Sequence, residues 1–380
     1  MRVAHISDTH LGYTRYAKLC PTTNRNQREV DASEAYARAV DAILEREVDF
    51  VIHSGDVFDS IRPATHVIVH FLKQTSRLTR EGIPYYGIAG NHETPRLRTT
   101  TTALEYANLV GAYFAVGFEP DPVRERAGGA EVTLTLVPHG AVGDQQVVVT
   151  PDRSADVNIM LTHGTVPGLK VQGHELGEVD LPGHVIAGDF DYVALGHYHY
   201  FHEHKKNAYY AGATERFGFG EVDSEPGFAI LEFSNGAVEI EHVPVEARSM
   251  VDLPKINAAE MTGVDLTEAI REQAETQYLD GAIVRQKVLD APRGLAGEVD
   301  RATLRDLKRR CLSYSLEVTE TGTVEVVGEG AQTSFGSLEE EFKAFVEARR
   351  EQGELEAQFA GEFLEKGLHY LRAAGGGEGA

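Results

Sequence analysis

The chain has only two cysteines in 380 residues, Cys20 and Cys311. They lie far apart and form neither a metal-type nor a redox-type spacing. A reducing, cytoplasmic setting is therefore expected. No stretch approaches the roughly 20 apolar residues that a membrane span needs. Met1-Arg2-Val3-Ala4-His5-Ile6 reads at once as a strand, so no signal peptide is expected either. Basic residues are few: 36 Lys and Arg stand against 59 Asp and Glu, a formal net charge of −23. That balance argues against a protein that coats nucleic acid non-specifically. It leaves room for a nuclease, because carboxylates that hold metals are themselves acidic and basic patches can be local.

What is present is a globular composition, 42% hydrophobic, enough for one large domain with a smaller one appended. Residues 2–7, 50–54 and 84–89 read as buried strands. Between them, residues 29–46 and 64–80 carry apolar residues at helical spacing. Right-handed βαβ crossovers would bring the three strand ends side by side. From about residue 113 short strands follow at 132–138, 146–149, 157–161, 192–195, 209–213, 227–233 and 238–243. The expected fold class is α/β, an α+β sandwich of two sheets packed face to face with helices outside, over residues 1–248.

After Pro244 the composition shifts. A helix over 264–279, a strand over 282–289, a helix over 299–311 and a strand over 312–318 suggest a small α+β domain, residues 249–328. It carries Lys308-Arg309-Arg310, and Arg285 with Lys287 at period-two spacing. These are either a solvated surface or nucleic-acid contacts. A glycine-bearing linker (322–336) leads into the last region, residues 329–380, which reads as the rest of that linker, a Ser337/Glu340 capping box, two apolar-faced helices and a tail expected to be disordered.

The strand ends carry the chemistry: Asp8 and His10, Asp56, Asn91 and His92, His163, and His197 and His199. Each alone has a bland reading, such as an Asx-type turn at Asp8. Five separate ends with this composition, and glycine before Asp56, Asn91 and His197, are hard to obtain by chance. Period-two spacing in an extended segment would put Asp8 and His10 on one side, and likewise His197 and His199. Mixed oxygen and nitrogen donors without thiolate suit Mn, Fe or Zn. Seven ligands suffice for two ions if one carboxylate bridges, which is the arrangement of a two-metal phosphoesterase.

The order Asp8-x-His10, Gly55-Asp56, Gly90-Asn91-His92-Glu93, His163, Gly196-His197-x-His199 resembles the calcineurin-like metallophosphoesterase superfamily. The resemblance implies one ion on Asp8, His10, Asp56 and His199, and another on Asp56, Asn91, His163 and His197. It makes His92 a non-ligand catalytic histidine that assists the leaving oxygen. His10-Leu11-Gly12-Tyr13, Gly55-Asp56-Val57-Phe58-Asp59 with Arg62-Pro63, and Ala213-Thr214-Glu215-Arg216-Phe217 resemble the SbcD-type DNA repair nucleases. That similarity implies a homodimeric nuclease with two Mn(2+) ions, working as a 3'-5' exonuclease and as a single-strand or hairpin endonuclease. Its 249–328 region would be a DNA-capping domain. Residues about 337–372 would bind an SbcC-type ABC ATPase with a coiled coil.

Two residues depart from the resemblance: Asp59 stands where some archaeal members have a histidine, and Glu93 where an aspartate is frequent. The second change is expected to be tolerated, since neither the ligand nor the leaving-group role uses it. DNA affinity would rest on local cations: Arg62, Arg96, Arg98, Lys205, Lys206 and those of the second domain. The alternatives are a phosphatase or phosphodiesterase for small molecules or phosphoproteins, which the same ligands would serve, and a scaffold whose metal only steadies the fold.

Overall fold

The computed structural model describes residues 1–97, 99–142, 149–166, 170, 171, 174, 175, 181 and 189–321, with the single positions 346, 361, 363, 364 and 366–368. Met1–Thr323 form one compact unit and Val324–Ala380 a second.

Strand β1 (Arg2–Ile6) leads to helix α1 (Gln27–Leu44), β2 (Phe50–His53), α2 (Thr65–Arg80), β3 (Tyr85–Ile88) and β4 (Tyr113–Ala115). Next come β5 (Asp121–Ala127), β6 (Ala130–Val137), the short helix α3 (His139–Val142) and β7 (Val157–His163). The small hairpin β8 (Lys170–Val171) and β9 (His174–Glu175) precedes β10 (Tyr192–Gly196), β11 (His202–Lys205), β12 (Ala208–Tyr210), β13 (Gly227–Ser234) and β14 (Ala237–Pro244). The remaining elements are β15 (Met250–Asn257), α4 (Gly263–Glu275), β16 (Ile283–Ala291), α5 (Arg301–Arg310) and β17 (Ser313–Glu320).

Two six-stranded sheets result, ordered β14-β13-β1-β2-β3-β4 and β11-β12-β10-β7-β6-β5. Both have a parallel centre; the first is antiparallel only at its β14-β13-β1 margin, with β4 parallel to β3, and the second is antiparallel at both margins. The central strands are buried on both faces, which is why they read as continuous apolar runs. Phe50 and Ile52 of β2 pack toward Leu134, Leu136, Ile159 and Leu161 of the other sheet. Val51 between them faces Tyr36, Phe71 and Leu78 of α1 and α2. The architecture is the α/β sandwich expected.

Six strands escaped the sequence pattern: β4, β5, β8, β9, β11 and β15. β5 is Asp-Pro-Val-Arg-Glu-Arg-Ala, a charged edge strand of the kind that resists further pairing. β15 contains Pro254, tolerated because the strand is at an edge and its register shifts between Leu253 and Ile256. Of the strand expected at 146–149, residues 146–148 lie outside the described residues, and Val149 is in no strand. The linker, the Ser337/Glu340 cap and most of the terminal helix pair also lie outside them. Val346, Phe363, Leu364 and Leu368 are helical.

The parallel three-stranded sheet β15-β16-β17 has a core of its own with α4 and α5, built on Leu253, Leu266, Ile270, Val284, Val288 and Leu307. A buried ionic network ties it to the sandwich. Arg248 holds both Asp31 carboxylate oxygens at 2.5 Å, and its amide donates to Glu215 Oε2 at 3.0 Å. Arg28, 1% exposed, donates to Asp31 Oδ2 at 2.8 Å.

Candidate metal centre

The carboxyl ends of β1, β2 and β3 from one sheet and of β7 and β10 from the other meet at one edge of the sandwich. Parallel registers align Ile6 with His53 and His163 with Gly196. Beyond the strands the backbones stay joined: the Asp8 amide donates to Gly55 O at 3.0 Å, and the His10 amide to Asp56 O at 3.0 Å. The side chains do not converge by strand alternation. Asp8, His10, Asp56 and His197 have φ of 49°, 41°, 55° and 100°. Each such left-handed residue costs about 1–3 kcal/mol and persists where the surroundings over-determine it, typically at functional sites. Turns, not a pleat, bring Asp8 to His10 and His197 to His199.

The three glycines before Asp56, Asn91 and His197 are there because backbones and ligands crowd together. A Cβ on Gly55 (φ +99°) would lie 2.5 Å from His163 Nδ1 and 2.9 Å from Gly90 Cα. One on Gly196 would lie 2.5 Å from Ser7 Oγ and 2.7 Å from His163 Nδ1. One on Gly90 would enter the Asp56 carboxylate.

All seven expected ligands reach one pocket. His10 Nε2 lies 3.1 Å from His199 Nε2, 3.7 Å from Asp56 Oδ2 and 4.0 Å from Asp8 Oδ1. His163 Nε2 lies 2.9 Å from Asn91 Oδ1 and 3.4 Å from Asp56 Oδ2. His197 Nδ1 lies 3.2 Å from Asn91 Oδ1. Asp8 with His10 and His199, and Asp8 with Asp56 and His163, each offer ligand atoms within 4.8 Å of one another.

Tautomers make this pocket fit a cation. His163 Nδ1 lies 2.8 Å from Ser54 O, an acceptor only, so Nδ1 is the donor. The neutral ring then points its Nε2 lone pair at two oxygens. His199 Nδ1 likewise faces Glu221 Oε1 at 2.8 Å, turning Nε2 toward His10 Nε2. Lone pairs facing lone pairs call for positive charge, either protons or metal ions. Burial alone would lower both imidazoles. The Asp56 carboxylate beside His163 and the Glu221 carboxylate beside His199 outweigh it and raise each to about 9. Burial works against ionised Asp56 too, yet the His163, His10 and His92 imidazoles hold it well below the usual range. His197, buried and close to His163, is lowered to about 4. A mixed set of carboxylate, amide and imidazole donors suits Mn, Fe or Zn.

His92 stands apart. It is more exposed, its Nδ1 donates to Asp59 O at 2.8 Å, and its Nε2 is 4.0 Å from Asp56 Oδ2. Nε2 therefore faces the cleft.

Several residues around the site have roles that the sequence pattern did not assign. Glu93 is buried and accepts three backbone amides. Glu221 orients His199. The Phe217 ring packs on His10 at 4.8 Å and on Tyr13 at 4.9 Å, and Arg15 joins them at the cleft wall. The Asp59 carboxylate is 3.5 Å from His10 Nδ1. Glu93, Asp59, Tyr13 and Phe217 lie within the sequence motifs but their roles emerge only from the fold, and Glu221 lies outside every motif. Of the expected DNA-binding cations, Arg62, Arg96, Lys205 and Lys206 are exposed, while Arg98 lies outside the described residues. Arg285 is engaged instead: it pairs with both Asp252 oxygens at 3.0 and 2.6 Å. Arg309 and Arg310 pair with Asp306 and Asp280.

The family model for calcineurin-like phosphoesterase matches residues 1–201. Among known proteins, the chain is similar to the DNA double-strand break repair protein Mre11 of Methanopyrus kandleri, 31% identical over 269 residues, covering 65% of this chain and 57% of the relative. It is 28% identical to the protein of that name from Thermoplasma acidophilum, covering 64% of this chain and 65% of the relative. The Haloferax volcanii protein of the same name is 29% identical, with 74% and 60% covered. The matches thus span less than two thirds of each of these relatives' length. No helix among the described residues is long and apolar enough to cross a membrane.

Proposed function

Because the chain belongs to the calcineurin-like phosphoesterase family, we propose that it is a Mn-dependent DNA nuclease of a double-strand-break repair complex. The observation that carries the chemistry is the pocket in which seven oxygen and nitrogen donors face one another around Asp56, with His92 beside it. Asp8, His10, Asp56 and His199 hold one ion, and Asp56, Asn91, His163 and His197 the other. Bound there, divalent ions supply Lewis acidity and an activated water for in-line attack at phosphorus.

The protein's own part is positioning and proton transfer. His92, fixed by its Nδ1–H bond to Asp59 O, presents Nε2 to the leaving oxygen. As the bond from phosphorus to that oxygen breaks, Nε2 gives up its proton to it and is reprotonated from solvent.

DNA as substrate is supported by the relatives, which are DNA double-strand break repair proteins, and by the second domain, which joins the sandwich beside the loop that flanks the cleft. The activities inferred are a 3'-5' exonuclease and an endonuclease on hairpins and single strands, in a homodimer. Residues 249–328 cap the DNA, and residues about 337–372 bind a coiled-coil ABC ATPase of the SbcC type. Deleting 337–380 is expected to abolish binding of that subunit and to spare cleavage of small phosphodiesters. Survival of partner binding would refute the assignment of those helices.

The deciding experiment sets Mn-dependent cleavage of a linear duplex and a hairpin beside cleavage of a generic phosphodiester. Wild type should cut DNA, and His92→Ala should not, with its metal content near normal. Cutting by that variant would remove His92 from the mechanism. A strong preference for cyclic nucleotides over DNA would overturn the substrate.

A further inference from the structure

We propose that the loop of residues 215–222 is a positioning element with two working faces, through which the second domain sets metal affinity at the His199 end of the pocket. This rests on the two-ion reading above.

One face belongs to the metal centre. Glu221 Oε1 accepts from His199 Nδ1 at 2.8 Å, and Oε2 accepts the Phe217 amide at 2.6 Å, so the carboxylate closes the turn it sits on. The Phe217 ring lies 4.8 Å from His10 and 5.5 Å from His199, against both imidazoles of the same proposed ion. A histidine ligand depends on such a partner for its tautomer and orientation.

The other face belongs to the second domain. Phe219 and Val222 pack with Met250, Ile283 and Leu312. The Arg285 guanidinium lies 4.3 Å from the centre of the Phe219 ring, within cation–π range. Its bidentate pair with Asp252 joins β15 to β16 and holds it there. Arg285 is therefore a clamp on the loop rather than a contact for DNA.

Between the two faces the loop has little slack. Tyr13 Oη donates to Phe217 O at 2.5 Å, and Tyr200 Oη to Gly220 O at 2.5 Å. Arg216 Nη2 donates to Ser224 O at 2.7 Å. Phe219 sits between Phe217 and Glu221, so displacement of the second domain moves the turn that carries the His199 partner. Glu221 and Arg285 are positioning residues: the one acts through His199 and the other through Phe219.

The test is calorimetric titration of Mn into the chelator-stripped full-length protein, with no nucleic acid present. Wild type should bind two ions. Glu221→Gln should weaken one step by roughly 10- to 100-fold, the size found when such outer partners are removed. Arg285→Ala should weaken that same step by roughly two- to thirtyfold, and Arg285→Lys, which keeps the charge but loses the fork, by less. Unfolding temperatures of the metal-free variants serve as the fold control. A titration of Arg285→Ala that superimposes on wild type overturns the proposal, as does equal weakening of both steps. Fewer than two ions on wild type would overturn the two-ion reading itself, which separates that failure from this one.

Discussion

Glu93 holds Asp56 through the backbone: its Oε2 accepts the Asp56 amide at 3.1 Å and the Gly90 amide at 2.8 Å, while Oε1 accepts the Phe58 amide at 2.7 Å. The carboxyl is fully buried and ties the loop after β3 to the loop after β2. Burial and the neighbouring Asp56 push it up to about 8, against the pull of those amides. Glu93 is thus neither a ligand nor an acid in the reaction, yet it shapes the pocket.

Glu93→Gln is nearly isosteric but replaces one acceptor oxygen by an NH2 group. At least one of the three buried amides then faces a donor. A loss of about 1–3 kcal/mol in stability is expected, together with a deep loss of cleavage, because Asp56 is displaced. Glu93→Asp should fall between the variant and wild type. Chemical denaturation and Mn-dependent cleavage together check this; a Gln variant matching wild type in both would show that the three bonds do not matter.

Gly90→Ala puts a methyl group into the Asp56 carboxylate. Overpacking of this kind costs about 1–3 kcal/mol, and here relief comes only by moving Asp56 or Asn91. The expected result is a folded protein with reduced ion binding. Normal Mn stoichiometry and affinity in this variant would contradict the crowding described at the site.

The alternation of apolar strands and helical stripes over 2–89 was legible because parallel strands covered on both faces leave long apolar runs. Asp8, His10, Asp56, Asn91, His92, His163, His197 and His199 were legible as polar residues ending such runs. The route by which they converge was not. Period two suggested a pleat, whereas positive φ at Asp8, His10, Asp56 and His197 does the turning. Glu221 left no trace, and Phe217 appeared only as the end of a motif without a role, since their partners lie 22 and more than 200 residues away in sequence and only the tertiary fold joins them. β5 and β15 were hidden by charge and by Pro254. Arg285 and Lys287 looked like one basic stripe, but Arg285 is taken up by Asp252 and Phe219.

Asp31 and Arg248 make acid stability predictable. Burial of Asp31 would raise its carboxyl, but the Arg248 fork, Gln27 and Arg28 hold it below the ordinary value. A depressed folded value contributes stability that is present above the unfolded carboxylate range near pH ~3.9 and is lost as pH falls through the folded value. Arg248→Ala leaves Asp31 buried with only Arg28 and Gln27 as side-chain partners. It should cost about 3 kcal/mol near neutrality, and the difference from wild type should shrink below about pH 4. Urea unfolding across pH would test this, and a gap that stays constant down to pH 3 would exclude the pair as its source.

Removal of metal gives the last prediction. The pocket concentrates acceptors around Asp56, so without ions His163 and His199 take up protons to relieve the facing lone pairs, and bound ions replace those protons. Ions that bind only the folded state stabilise it by mass action, about 2.7 kcal/mol for one site at a hundred times its dissociation constant. Adding Mn to chelator-stripped protein should therefore raise the unfolding temperature by several degrees, and chelator should reverse the rise. Asp56 lies in reach of both His10 and His163, so Asp56→Asn should abolish most of that rise, more than His197→Ala does. If Asp56→Asn responds to Mn as wild type does, the stabilising ions bind elsewhere and Asp56 is not shared between them.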